Sequence, residues 1–373
     1  MIRRRVEPET ERRRDGETWR LRDLETRGLD DGLWGRMGFV LLILLLVVVF
    51  MLDLLFGSVR ISLFQSVSAL IHPSSADPQV AAILFQFRIP KAITAVMAGA
   101  ALSVAGLQMQ TVFRNPIAGP DILGISSGAS LGVALFVLSA GWLFKGAALF
   151  STTGSWGIVL AAWIGAGCMM LLVVLIASRL KDLMTVLILG ILISSAVLAV
   201  VSLLQYFSSE SSLKSFVVWT MGSLGSTTRD QLSVLVPSTL TGLILALISA
   251  KFLDAFLLGE DYAKSMGMNL RTAYLLVFAS TSILAGSITA FCGPIGFIGI
   301  IIPHLARRIF RSPLHIRLIP ATMLLGAIVM LIGDLISQLP GYETTLPINS
   351  VTSLLGIPIV IWIIFQQKKI GSL

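Results

Sequence analysis

Charged residues are scarce in this chain, and they are unevenly distributed. Only 13% of the 373 residues are Asp, Glu, Lys or Arg, whereas a soluble globular protein carries roughly 25%. Residues 1–36 hold ten Arg and nine Asp or Glu, so the other 337 residues share 29 charges. This composition excludes an ordinary soluble domain and favours a protein that lies in a bilayer.

The sequence also lacks the residue sets of common enzymes and metal sites. It has no GxxxxGK[ST] loop and therefore no motif of its own for the phosphates of ATP. Its two cysteines form no CxxC pair, and His72, His304 and His315 lack metal-ligand spacing. An intramembrane enzyme would need a clustered Ser/His set, paired aspartates or an HExxH motif, and none is present. We expect no catalytic residue, no metal site and no cofactor in this chain.

Long apolar runs are abundant instead. A membrane-spanning helix needs roughly 20 mostly apolar residues. Ten segments qualify as candidates: 38–56, 92–112, 122–142, 156–177, 183–204, 232–250, 273–292, 294–310, 319–339 and 349–367. The eighth, 294–310, is the shortest. The sequence predicts an all-α polytopic membrane protein with about ten transmembrane helices over 37–373, preceded by a charged extension over 1–36.

The distribution of Lys and Arg predicts the orientation. Ten spans place both termini on one side, and that side would hold 22 of the 28 Lys and Arg. Such a bias marks the cytoplasmic side, so we expect a multi-pass protein of the cytoplasmic (inner) membrane with both termini in the cytoplasm. The extension has few apolar residues, and we expect it to be mobile. No basic stripe interleaved with aromatics indicates a nucleic-acid partner.

Two carboxylates lie within predicted spans, Asp53 and Asp334, each near a predicted outer end. We expect both to reach the membrane interface. An intramembrane carboxylate is a functional hypothesis by default, but two such groups do not form a proton relay. Their scarcity counts against an ion-coupled secondary transporter, which remains the alternative function.

One polar segment, LLGEDYAKSMGMNLR (257–271), separates the sixth and seventh predicted spans. It contains a helical-looking stretch and a glycine at which another backbone could approach closely. Because the chain has no phosphate loop, ATP-driven transport would require a separate ATPase subunit. This segment is the candidate for receiving it, although an ordinary solvated loop is the other interpretation.

Four stretches, in order, resemble a known family. They are FRIPKAITAVMAGAALSVAGLQMQTVFRNPIAGPDILGISSGASLG (87–132), GEDYAKSMGMN (259–269), GPIGFIGIIIPHLARRI (293–309) and LPINSVTSLLGIPIVIWII (346–364). They resemble the FecCD-type permease subunits of binding-protein-dependent ABC importers, which take up iron–siderophore complexes, haem or vitamin B12. The resemblance covers about residue 38 to the C-terminus and implies the type II ABC importer permease fold.

The resemblance also implies partners and roles. The partners are an ABC ATPase subunit that binds ATP and Mg, a periplasmic or lipid-anchored substrate-binding protein, membrane lipid and a second permease copy, which suggests a homodimer. Arg88 and Lys91 match a docking point for the binding protein, whereas Gln338 stands where the vitamin B12 permease has a second arginine. Leu183 and Met184 match the cytoplasmic gate. The matching ATPase coupling loop comprises Gly259, Glu260, Asp261, Lys264, Met266 and Gly267.

A further motif lies between the second and third predicted spans and is expected to be structural. Its residues are Asn115, Pro116, Pro120, Asp121, Gly124 and Gly128. Pro116 removes a backbone donor and should end the second span. Asp121 should cap the next helix. The interpretation as a whole is an ATP-driven importer of a bulky metal chelate that works by alternating access, with iron–siderophore first, haem second and vitamin B12 third.

Overall fold

The computed structural model describes residues 36–57, 59, 61–72, 77–138, 147–179, 183–338 and 345–370. Within these ranges every regular element is helical. The chain divides into two compact units, Met1–Leu45 and Leu46–Leu373. The charged extension predicted over 1–36 lies outside the described residues except for its last position.

The helices follow one another with short connections. In chain order they are α1 (Arg36–Leu55), α2 (Leu63–Ile71), α3 (Pro78–Ala82), α4 (Ile89–Val112), α5 (Ile125–Val137), α6 (Ala147–Arg179), α7 (Leu183–Tyr206), α8 (Glu210–Thr220), α9 (Arg229–Ile248), α10 (Ala250–Leu258), α11 (Glu260–Ser265), α12 (Leu270–Cys292), α13 (Ile298–Phe310), α14 (His315–Ser337) and α15 (Ile348–Ile370). A π-helical turn, Ile83–Arg88, joins α3 to α4, and a 3₁₀ turn, Pro120–Leu123, precedes α5.

Each of the ten predicted spans corresponds to a helix, but two of these helices, α5 and α13, are shorter than expected. Among the described residues, seven helices are long and apolar enough to cross a membrane. Helix α5 is apolar but has only 13 residues, whereas α15 has 23. Helix α13, which matches the predicted span 294–310, has 13 residues and carries Arg307 and Arg308 in its last turn. The fold is an all-α membrane architecture.

The second span starts earlier than its apolar run suggested. The run begins at residue 92, whereas the continuous helical stretch begins at Pro78, where the Asp77 carboxylate caps the first turn. The π turn then inserts an extra residue into the helical ladder immediately before α4. Turns of this kind often occur at functional sites. Here the turn ends at Arg88, which the family resemblance assigns to docking of the binding protein.

Helices α4, α12 and α14 form the centre of the second unit. The most apolar windows of these three spans are 83%, 78% and 61% buried, against 17% for α7. Small residues allow α4 and α14 to pack backbone against backbone, since a Cβ on Gly99 would overlap the Gly326 carbonyl oxygen and a Cβ on Gly326 would overlap that of Gly99. Helix contacts in membranes commonly depend on such small residues.

A buried polar network fixes α4 to α12. The Gln108 side chain is fully buried; its amide nitrogen donates to Ser249 Oγ at 3.2 Å and to Ser280 Oγ at 3.1 Å. Its amide oxygen accepts from Thr281 Oγ1 at 3.0 Å. Buried polar groups need such partners because unsatisfied ones are costly. These polar residues of the centre therefore hold helices together.

Candidate functional site

Arg88 lies where the π turn meets α4, and its side chain is buried, with 7% relative exposure. Its guanidinium donates to the carbonyl oxygens of Leu54 at 2.8 Å, Leu55 at 3.0 Å and Val59 at 2.6 Å. The last carbonyls of a helix have no partner within the helix and carry partial negative charge. Arg88 thus supplies the missing donors at the end of α1.

Lys91 lies one turn further along α4 and pairs with α14. Its Nζ is 2.9 Å from Asp334 Oδ2, and the two side chains are 19% and 2% exposed. The Gln338 amide donates to Asp334 Oδ2 at 2.7 Å and to Asp53 Oδ1 at 3.3 Å. We name Asp53, Arg88, Lys91, Asp334 and Gln338 the ion-pair cluster; it joins the ends of α1 and α14 to the start of α4.

This geometry shows how these residues are bonded, while the docking role of Arg88 and Lys91 stays a prediction. Asp53 and Asp334 do not reach the surface of the described chain, because they are 3% and 1% exposed. Arg88 was expected to present its charge to a binding protein, yet its guanidinium is directed inward onto backbone carbonyls. Only Lys91 keeps a partly accessible ammonium. These bonds could not be predicted from local sequence, because the Arg88 partners lie 29 to 34 residues away and Asp53 lies 285 residues from Gln338.

A second polar group lies at the other end of α4 and α14. His315 is the first residue of α14 and is 1% exposed; its backbone N–H donates to Asp254 Oδ1 at 2.8 Å. Its Nδ1 lies 2.7 Å from the same oxygen, and its Nε2 lies 2.9 Å from Thr111 Oγ1. We name Thr111, Asp254 and His315 the histidine cluster. It joins α14 to α10 and to the end of α4.

Neighbouring contacts reinforce this end of the bundle. Arg307 on α13 donates to the Gln110 side-chain oxygen at 2.6 Å, and Gln110 donates back to the Ile300 carbonyl at 2.9 Å. His304 bonds the Pro116 carbonyl at 2.8 Å. The three histidines are scattered along the chain, without metal-ligand spacing. The topology nevertheless brings two of them to the same end of the bundle.

The motif between α4 and α5 turns the chain in a different way from the prediction. Helix α4 ends at Val112, and Arg114 then adopts a left-handed conformation with φ 46°, so the helix has ended before Pro116. Asn115 Oδ1 accepts from the Ile117 N–H at 3.1 Å. These local bonds, together with Arg114, form the turn.

The expected cap of α5 is also wrong. Asp121 lies in the 3₁₀ turn that begins at Pro120, and its carboxylate accepts from the Ser126 hydroxyl. The N-cap position is instead Gly124, whose φ of 73° suits glycine. Gly128 faces Gly165 of α6, where a Cβ would lie 2.6 Å from the Gly165 carbonyl oxygen. This motif packs α5 closely against α6.

The segment Gly259–Gly267 follows α10 and contains helix α11. Gly259 has φ 118° and Gly267 has φ 81°, so glycines bracket the short helix. Gly267 follows the helix, which ends at Ser265 with Met266 as its C-cap. Among the described residues, a Cβ at Gly267 would meet no atom within 4 Å. Lys264 pairs with the exposed Asp261 at 3.5 Å, and Glu260 opens the helix.

The segment is attached to the rest of the bundle through α10. Arg114 Nη2 donates to the Phe256 carbonyl at 3.0 Å. The Phe256 ring stacks on Tyr274 of α12 with centroids 4.7 Å apart and an interplanar angle of 12°. Tyr274 continues the stack to Phe278, 6.0 Å away. Helix α10 is therefore fixed to α4 and α12, whereas α11 projects a partly exposed surface.

The gate residues can be placed only by their backbone. Leu183 and Met184 begin α7, and their side chains lie outside the described part of the chain. Within the described residues, no group of three or more His, Cys, Asp or Glu is arranged to hold a metal ion.

Comparison with known proteins agrees with this architecture. Residues 45–366 match the FecCD transport family. The chain is 33% identical over 334 residues to the hemin transport system permease protein HmuU of Yersinia pestis, covering 89% of this chain and 96% of that protein. It is also 33% identical to the molybdate import system permease protein MolB of Haemophilus influenzae, covering 88% and 96%.

Two further likenesses concern vitamin B12 import and three-dimensional structure. The vitamin B12 import system permease protein BtuC of Klebsiella pneumoniae is 32% identical over 288 residues, covering 77% of this chain and 84% of that protein. A solved structure described as an inward-facing metal-chelate-type ABC transporter superposes with a TM-score of 0.75 and 30% identity, covering 88% of this chain and 98% of that one. The chain belongs to the FecCD transport family of ABC importer permeases.

Proposed function

We propose that this chain is the membrane permease of an ATP-driven importer for a bulky metal chelate. Iron–siderophore is the first candidate, haem the second and vitamin B12 the third. The supporting observation is the match over residues 45–366 to a family whose members carry haem, vitamin B12 and iron-uptake names. The described charges inside the bundle bond to other protein groups, which suits a substrate enclosed as a whole chelate.

The proposed complex contains two copies of the permease, two of an ATPase and one binding protein. ATP and Mg bind to the ATPase subunits, and substrate crosses by alternating access. The segment Gly259–Gly267 would contact the ATPase, because its second glycine faces open space and its helix is partly exposed. Leu183 and Met184 would form the cytoplasmic gate. Both termini would lie in the cytoplasm, and the protein would reside in the inner membrane.

Docking of the binding protein is proposed at the ion-pair cluster, with Lys91 as the accessible cation. We include Arg88 in the docking site because it lies beside Lys91. Its bonds to three backbone carbonyls also give it a structural role. A binding-protein carboxylate would have to share Lys91 with Asp334. Such an interaction should be salt-sensitive, since exposed charges are screened within roughly 8–10 Å at ordinary ionic strength.

The test is uptake by the reconstituted complex. The permease, its ATPase and its binding protein are placed in vesicles, and a ferric hydroxamate siderophore, hemin, cobalamin and molybdate are supplied in turn. We expect ATP-dependent uptake of a chelate and none in vesicles whose ATPase carries a substitution of its phosphate-loop lysine. Uptake driven by a proton or sodium gradient without ATP would support the secondary-transporter alternative. ATP-dependent uptake of molybdate alone would exclude the chelate.

A further inference from the structure

His315 makes bonds to two other helices from one buried ring. The Nδ1 faces the carboxylate of Asp254 on α10, so it carries a proton and donates across 2.7 Å. The Nε2 and the Thr111 hydroxyl of α4 share a hydrogen bond of 2.9 Å. Because an imidazole is rigid and planar, its two nitrogens hold α10 and α4 at a fixed separation. The histidine's own backbone N–H adds a second bond to Asp254.

Asp254 lies five positions before Gly259, on the helix that leads directly into the proposed ATPase-contact segment. Thr111 and His315 lie on the two helices that pack backbone against backbone through Gly99 and Gly326. The histidine cluster is therefore a junction. On one side of it is α10 with α11, and on the other side is the closely packed pair α4 and α14.

We propose that His315 is a positioning residue that transmits movement of the Gly259–Gly267 segment to the α4–α14 pair. The proposal rests on the proposed function, in which an ATPase moves that segment. With both ring bonds present, displacement of α10 carries α4 and α14 with it. Without the Thr111 bond, α10 still carries the start of α14 through Asp254, but the end of α4 is no longer bonded to that movement, so ATP is hydrolysed while less substrate crosses.

Three variants separate the bonds of this junction. Thr111→Val removes the hydroxyl and keeps the branched shape, whereas Thr111→Ser keeps the hydroxyl. His315→Asn retains a donor near the Nδ1 position, facing Asp254, but its shorter side chain cannot reach Thr111. All three are prepared as complexes with ATPase and binding protein. Their assembly and thermal midpoints are compared with those of the unmodified complex before transport is measured.

The readout is the number of substrate molecules taken up per ATP hydrolysed, with hemin, cobalamin and a ferric hydroxamate siderophore as probes. Coupling between sites commonly corresponds to 5–150-fold effects, so we expect Thr111→Val and His315→Asn to lower this ratio about five-fold or more. ATPase rates should stay near the unmodified rate. Thr111→Ser should restore the ratio, which a general loss of packing would not explain.

The failures of the two proposals are distinguishable. If the unmodified complex shows no ATP-dependent uptake of any probe, the proposed function is wrong. If it transports and Thr111→Val has an unchanged ratio, the proposed function stands and the role of His315 is overturned. A Thr111→Val complex that does not assemble would assign the hydroxyl to folding and would also overturn the role in transmission.

Discussion

The two polar clusters lie at opposite ends of the same helix pair, yet their chemistry differs. The ion-pair cluster combines two carboxylates with an ammonium and a guanidinium, whereas the histidine cluster combines one carboxylate with an imidazole and a hydroxyl. A buried charge that loses its partner is far more costly than a neutral group that loses a hydrogen bond. We infer that the first cluster is a fixed clasp, which costs more to break than the hydrogen bonds of the second.

The largest expected effect on stability is at the clasp itself. Lys91→Met removes the cation that faces Asp334 and leaves a carboxylate that is 2% exposed. Breaking a buried pair from one side costs about 3–5 kcal/mol, and we expect the free energy of unfolding in detergent to fall by that amount. The double variant Lys91→Met, Asp334→Leu removes both charges and should regain most of the loss. Equal stability of the single and double variants would show that the pair is not a clasp.

Substitution of Arg88 has the next largest expected effect, and it distinguishes a structural role of this residue from a role in binding-protein docking. Arg88→Gln cannot span the carbonyls of Leu54, Leu55 and Val59, and bonds from a charged donor contribute about 1.5–3 kcal/mol. We expect a loss of stability in that range, and Arg88→Lys should not repair it, since a lysine lacks the planar fork of donors. If stability is unchanged while affinity for the binding protein falls, Arg88 is a docking residue and its inward bonds are incidental.

The middle of the helix pair should be less sensitive than the clasp. Gly99→Ala places a methyl group against the Gly326 backbone, and overpacking of this kind costs about 1–3 kcal/mol. Gly167→Ala is the matched control, because a Cβ there meets nothing within 4 Å and alanine favours a helix by up to about 1 kcal/mol. Thermal unfolding of both variants in the same detergent measures the difference. A Gly99→Ala protein as stable as Gly167→Ala would mean that the helices are free to separate.

The smallest effect on stability is expected at Gly267. Its φ of 81° is strained for any residue with a side chain, which costs about 1–2 kcal/mol. A Cβ at this position would nevertheless contact no atom of the described residues within 4 Å. Gly267→Ala and Gly267→Leu share the strain and differ in bulk. We expect both to fold, and Gly267→Leu alone to lower binding-protein-stimulated ATPase activity and uptake in vesicles. Identical behaviour of the two variants would show that this position does not face the ATPase.

The sequence predicted the helices well and their contacts poorly. Apolar runs located the spans because length and composition are local properties, and the family fold was confirmed by the match over 45–366. The hydrogen bond from Gln338 to Asp53 joins positions 285 residues apart, so no local sequence pattern could predict it. The sequence does not show the π turn that ends at Arg88 or the inward bonds of its guanidinium, and the docking role of Arg88 stays a prediction. The roles of Leu183, Met184 and the Gly259–Gly267 segment stay predictions.

The spacing of the two clusters has a consequence for the surrounding lipid. Lys91 and Thr111 are 20 positions apart on α4, and His315 and Asp334 are 19 apart on α14, so both intervals are about 30 Å along a helix axis. A bilayer's hydrocarbon layer is also about 30 Å thick. The distance between the two clusters is therefore about the thickness of that layer. We expect lipids with longer or shorter acyl chains to change how far the Lys91 ammonium reaches water, because the layer would then differ in thickness from the distance between the clusters.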